Sequence, residues 1–298
     1  MNDIYDVINQ TEPVEKKENK PFDKQAWAEK KQAEKQAAYE LIDATATEVG
    51  SDISKLVEYL DVQSRMDKYS VGNALLILAQ KPEATQLKDY DGWKENGTSV
   101  KPKEKGILIL EPGNEYVRED GTTAVSYNAK KVFDVTQTFT REKAKPQINR
   151  DERFVLKALV QNASVPIKAV DSFDPPTMGA AYDDKEKVIV VRRGLDNTDF
   201  FLAVSQELAH AELAKDGNYN RAEQGYKAYF AAYMLCKRYG MDTKAFDFKQ
   251  IPNEIANKEA SDIRNCLSEI RSTMNEINDG MSKAFSQNKT PVQKEQER

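Results

Sequence analysis

Apolar positions in the first third of the chain recur at helical spacing. From Asp23 to about Val49 the residues are chiefly Ala, Lys, Gln and Glu, all good helix formers, with Asp23 placed to cap the start and Gly50 where a helix would stop. Ser51 and Asp52 begin a second helix with Ile53, Leu56, Val57 and Leu60 on one face. A third runs from about Ser70 to Gln80 and ends before Pro82. The period then shortens. Gly106–Leu110, Thr123–Tyr127 and Lys131–Val135 are strand-like runs, punctuated by Pro112-Gly113 and Asp120-Gly121 as turns.

The polar stretch from Thr136 to Arg150, which contains Pro146, is the expected linker. Beyond it the pattern predicts a helix over Asp151–Asn162 and strands over Val165–Val170, Met178–Tyr182 and Val188–Val191. Helices over Thr198–Ala214, Arg221–Tyr239 and Asn257–Met281 follow. The last carries Ile263, Leu267, Ile270, Met274, Ile277 and Met281 in alternating steps of four and three, an a/d seam. Such a seam packs against a helix of its own chain or serves self-association or a protein partner. The fold class expected is α+β: N-terminal helices on a small antiparallel sheet over 25–140, then a second α+β unit over 150–282 ending in the long helix. Polar tails, expected to be disordered, flank them at 1–24 and 283–298.

Charge narrows the function classes. With 44 basic against 49 acidic residues the net charge is −5, which excludes a polycation that coats nucleic acid or acidic membranes; any such site must be local. No apolar run approaches the roughly 18 residues of a membrane span, and the start of the chain lacks the basic and apolar regions of a signal peptide. Cys236 and Cys266, thirty positions apart, form neither a disulfide framework nor a zinc-ribbon spacing, so a cytoplasmic protein is expected. One count is more restrictive still. The chain has a single histidine, His210, which rules out every two-His mechanism.

His210 lies in the most suggestive segment. Zinc peptidases place two His four residues apart on a helix, with a Glu after the first to activate metal-bound water. Here the frame is Gln206-Glu207-Leu208-Ala209-His210, so Glu207 and His210 stand where general base and second ligand belong. Gln206 stands where the first ligand belongs, and a neutral amide is a poor zinc donor. The preceding strand and the turn at Gly194 fit the peptidase context. The following helix presents Tyr226, Tyr229, Phe230, Tyr233 and Met234 where an acidic ligand should face His210; Glu223 is the one carboxylate near.

From roughly Leu56 to Asp242 the sequence resembles the ArdC and LtrC-like antirestriction proteins of plasmids and conjugative elements. In the first half the resemblance rests on Tyr69–Gln80, Pro82–Thr85, Gly92-Trp93, Val100–Ile107 and Lys130–Thr138. In the second it rests on Gly179–Tyr182, Gln206–Leu213 and Ala232-Tyr233 before Gly240–Asp242. It implies an N-terminal domain that binds single-stranded DNA and a zincin-like metallopeptidase domain, together protecting incoming DNA from restriction. Carried over by position, the first zinc ligand falls on Gln206, the base on Glu207, the second ligand on His210 and the acidic ligand on Tyr229. With two ligands replaced, the expectation is a scaffold without catalysis, no zinc and no other cofactor.

Single-strand binders combine stacking aromatics with a basic track. Tyr69, Tyr90 and Trp93, with Lys101, Lys103 and Lys105, are the residues expected to meet DNA, and Asn73 is either a buried anchor or a further contact. Two rival readings stand beside this one. An active metallopeptidase would need His210, Glu223 and Glu207 or Glu212 as ligands. A protein-binding module would use the sheet edge of the zincin-like unit, or the seam of the last helix, to hold a partner.

Overall fold

The computed structural model describes residues 23–140 and 151–287. Helix α1 (Lys24–Ser51) begins where the Asp23 carboxylate accepts hydrogen bonds from the amides of Gln25 and Ala26, both at 3.0 Å. Its first half is exposed; Ala38, Ile42, Ala46 and Val49 then bury one stripe. Gly50, expected as the stop, lies inside the helix. A Cβ there would overlap Ile263 Cδ1 and stand 3.1 Å from the Ile255 carbonyl oxygen. The glycine permits close packing, and the break comes at Asp52, whose carboxylate caps α2 (Ile53–Arg65) by accepting from Ser54 N at 2.7 Å. Ser70 caps α3 (Val71–Gln80), which is buried along nearly its whole length.

The first sheet has the order β1-β3-β2, antiparallel throughout. Strand β1 (Leu87–Lys88) leads into the short α4 (Tyr90–Glu95); β2 (Ile107–Val117) and β3 (Thr123–Asp134) form a hairpin. Here two expectations are corrected. Pro112-Gly113 makes no turn: it is the bulge at which the register slips between Pro112 and Glu115. The runs at Thr123–Tyr127 and Lys131–Val135 fall on one strand, which ends at Asp134 with Val135 opening a 3-10 turn, since the Asp120-Gly121 turn alone reverses the chain. The distal half of the hairpin therefore stands out from the body, exposing Tyr116, Val117, Val125 and Tyr127.

Helix α3 seals the proximal edge of that hairpin. The Asn73 amide donates to the Leu110 carbonyl and accepts from its N–H, both at 2.8 Å. Seven residues on, Gln80 treats Leu108 the same way, both bonds at 2.9 Å. The two amides meet alternate residues of β2, so they stand in for a neighbouring strand and blunt an edge that would otherwise pair.

The second half opens with α5 (Glu152–Gln161), capped by Asp151. A three-stranded sheet of order β4-β6-β5 follows, with β4 (Ile167–Val170) parallel and β5 (Ala180–Asp183) antiparallel to β6 (Val188–Arg192). Helices α6 (Asn197–Leu213), α7 (Arg221–Tyr239) and α8 (Ala260–Gln287) follow; α6 lies on the sheet, and α7 and α8 pack on α6. The architecture is α+β. The seam of α8 is spent within the chain: Ile263, Leu267, Ile270, Met274, Ile277 and Met281 are all buried. Of the alternatives weighed for the seam, packing within the chain is the one observed, because helices from both halves cover these positions and leave them closed to self-association or a protein partner.

One hydrophobic cluster runs from Ala38 to Phe285 across the two halves; Trp93, Phe133 and Val135 form a small satellite. Polar ties reinforce the junction. Asp61 accepts from Tyr233 Oη at 2.7 Å and pairs with Lys237 at 2.9 Å, and Arg238 pairs with Asp67 at 2.9 Å. Residues 283–287, assigned above to a tail, continue α8, because Phe285 packs against Phe154 and Tyr239. The rest of the expected tails, and residues 141–150 of the expected linker, lie outside the described residues. Among the described residues no helix is long and apolar enough to cross a membrane.

Candidate functional site

Helix α6 starts at Asp196, whose carboxylate caps it through Asp199 N, and runs between the second sheet, α7 and α8. Its buried face includes Phe201, Val204, Glu207, Leu208 and His210, whereas Gln206 is half-buried. A carboxylate and an imidazole on a buried face must find partners or remain neutral. Both find them, in residues the sequence analysis did not single out.

The Glu207 side chain is 6% exposed, and three hydrogen bonds hold it. Arg221 forms a two-pronged pair, NH1 to Oε2 at 2.9 Å and NH2 to Oε1 at 2.6 Å. The backbone N–H of Tyr182, on β5, donates to Oε2 at 2.7 Å. Three elements are thereby joined: α6 through Glu207, α7 through its first residue, and β5 through its edge amide. A base that must collect a proton from water needs a free lone pair facing solvent. Here the guanidinium takes that face.

His210 is 2% exposed and shares a short hydrogen bond between Nδ1 and the Tyr219 hydroxyl. Burial, and then the Arg221 cation, push the imidazole down to about 3, so it is neutral at ordinary pH. Burial also pushes the Tyr219 phenol up to about 12, with Arg221 opposing and Glu207 adding to the rise. Tyr219 and Arg221 arrive together. After a short 3-10 turn the chain reverses at Gly217, with φ +75°, and Asn220 caps α7, so the segment folds back over α6. The sequence carried one usable signal for them: a glutamate on a buried helical face requires a cation close by.

Opposite His210 on α7 stands Gly225, where a Cβ would lie 3.6 Å from His210 Cε1. The position expected to face the histidine, Tyr229, instead lines a separate aromatic cavity with Phe230 and Phe248, and its hydroxyl accepts from Asp247 N at 2.7 Å. Glu223 is exposed. Among the described residues no group of three or more His, Cys, Asp or Glu side chains converges. The donor set does not fit zinc: Gln206 offers an amide, Glu207 is held by a guanidinium, His210 by a phenol, and a fixed cation would repel the metal. The Tyr182 amide, which an extended peptide on the β5 edge would use, is taken by Glu207 as well.

The residues expected to meet DNA are placed unevenly. Trp93 is 2% exposed, with Nε1 donating to the Phe133 carbonyl at 2.8 Å and the Lys88 ammonium 5.7 Å from its ring; packing closes it to stacking. Asn73 has both amide ends on Leu110, and Tyr69 is half-buried against the core. Tyr90 is 61% exposed on the Phe133 ring, at 4.5 Å. Lys101 donates to the Thr136 carbonyl at 2.8 Å, while Lys103 and Lys105 are exposed. Tyr90, Trp93, Lys101 and Lys105 thus gather around Phe133–Gln137, with Tyr90, Lys103 and Lys105 open to solvent. The exposed tyrosines of the hairpin, Tyr116 and Tyr127, were missed, because alternation marks a strand without saying how far it projects.

No protein-family model matches the chain, and none of the curated proteins does. Among solved structures it is similar to the antirestriction protein ArdC from plasmid R388. The metal-free crystal form aligns at 15% identity with a TM-score of 0.48, over 72% of this chain and 86% of that one. The Mn(II)-bound form gives the same identity and score over 72% and 85%.

Proposed function

We propose that this chain is an antirestriction-like protein of a plasmid or conjugative element, cytoplasmic, that binds single-stranded DNA and retains a zincin-like unit without peptidase chemistry. The DNA-binding part is supported by the ordered sequence resemblance from Tyr69 to Thr138 and by solvent-facing aromatic and basic residues on that half, among them Tyr90, Lys103 and Lys105. The observation that carries the non-catalytic part is the Arg221–Glu207 pair. A guanidinium supplies the positive charge that a metal would bring, yet it has no open coordination position at which to activate water.

The test is an anisotropy titration of fluorescein-labelled oligo(dT) and of the matching duplex at about 50 and 200 mM salt. Tighter binding of the single strand, weakening with salt at a slope of about −0.7 per phosphate neutralised, supports the reading. Equal or absent binding of the two forms rejects it.

A further inference from the structure

A cavity of about 270 Å³ opens where α1, the start of α3, the hairpin and α8 meet. Its walls include the rings of Tyr39 and Tyr127, the Asn73 and Leu110 pair that closes the sheet edge, and the Arg264 side chain. Tyr127 is 41% exposed and faces the cleft from β3. Tyr39 is half-buried one helical turn from Lys35 and one turn from Asp43, which pairs with Arg264. Burial raises the Tyr39 phenol, and the neighbouring Tyr127 and Tyr116 raise it further, so three phenols share this corner.

We propose that this cleft seats one unpaired base of single-stranded DNA, stacked on Tyr39 and Tyr127, with Arg264 beside the adjoining phosphate. The assignment rests on the single-strand reading above and gives that reading a site. Two aromatic walls accept any base through its π-face, and a base can enter only when it is not paired and stacked within a duplex, so the cleft selects for single strands by shape. The hairpin tip carries Glu115, Glu119 and Asp120 against Arg118, and along α1 Lys30, Lys31 and Lys35 are interleaved with Glu29 and with Glu34, which pairs with Lys31. Arg264 is the cation that lines the cleft itself. Arg264 exchanges part of its bond to Asp43 for the phosphate, which a guanidinium with five donors can do without losing either partner.

The same oligo(dT) titration tests this with Tyr127→Ala, Tyr39→Leu and Arg264→Gln. Each aromatic loss is expected to raise the dissociation constant about tenfold or more, Arg264→Gln to lower the salt slope, and Tyr127→Phe to bind as the parent does. Thermal melts identify any variant that fails to fold; Tyr127, on an exposed strand, should melt with the parent. Parent protein that binds no single strand overturns both readings. Parent that binds, with Tyr127→Ala and Tyr39→Leu within twofold of it, overturns the cleft and leaves the single-strand reading standing.

Discussion

Removing the guanidinium from Glu207 is the most informative single perturbation of the buried Glu207–His210 site. In Arg221→Ala the carboxylate, 6% exposed, keeps the Tyr182 amide at 2.7 Å and loses both guanidinium bonds. Breaking a fully buried pair from one side costs about 3 to 5 kcal/mol. Arg221 is 46% exposed at the side chain, so water screens part of that interaction and a cost of about 2 to 3 kcal/mol is the better figure. For a chain of this size that corresponds to a fall in Tm of about 3 to 5 °C. A urea-denaturation series on the parent, Arg221→Ala, Glu207→Gln and the double variant measures it. Glu207→Gln keeps an oxygen for Tyr182 and removes the charge, so in its presence the arginine change should cost under about 0.5 kcal/mol, a coupling above 1.5 kcal/mol. Additive costs would refute the reasoning, since they would mean that the guanidinium and carboxylate do not depend on one another.

Four further outcomes are expected. The chain's single histidine gives one set of imidazole proton signals, which should stay at neutral-form shifts below pH 5. Because the folded value lies near 3 and the unfolded near 6.5, this residue's share of stability is whole above about 6.5 and falls as pH drops towards 3; a midpoint near 6.5 would contradict the burial. Asn73→Ala leaves the Leu110 N–H and carbonyl without partners and should cost about 2 to 4 kcal/mol in urea unfolding. An unchanged stability with lost DNA affinity would make Asn73 a nucleic-acid contact. Gly50→Ala ordinarily gains up to about 1 kcal/mol in a helix, but the clash with Ile263 should turn it into a net loss of about 1 to 2 kcal/mol, so the sign alone decides. Ile270→Asp should unfold the chain rather than dissociate an oligomer, as sedimentation of parent and variant would report, because α8 is covered from within.

The helices were legible because their apolar stripes are long and their caps local: Asp23, Asp52, Ser70 and Asp151 all cap where the sequence placed a start or the structure moved it by a residue or two. Turn chemistry was legible at Asp120-Gly121 and misleading at Pro112-Gly113, since a proline and a glycine serve a bulge as readily as a turn. Gly50 misled for a related reason. Glycine marks either a stop or a close approach, and only the position of Ile263 distinguishes them. At the site, the departures from the zinc-peptidase motif at Gln206 and Tyr229 could be read directly, because a motif specifies residue types. The partners of Glu207 and His210 could not, since Tyr219 and Arg221 reach α6 only through the reversal at Gly217. The likeness of Tyr229 to a ligand position failed by one helical turn: Gly225, four residues earlier, faces His210.

The claim on which the account turns is that Arg221 and Tyr219 hold Glu207 and His210 in a way that leaves neither free to bind a metal. Metal content measured by plasma mass spectrometry, after equilibration with excess zinc and gel filtration, tests it most directly. The account predicts zinc far below one per chain, the same in the parent and in His210→Ala. One zinc per chain in the parent, lost in His210→Ala, would contradict it.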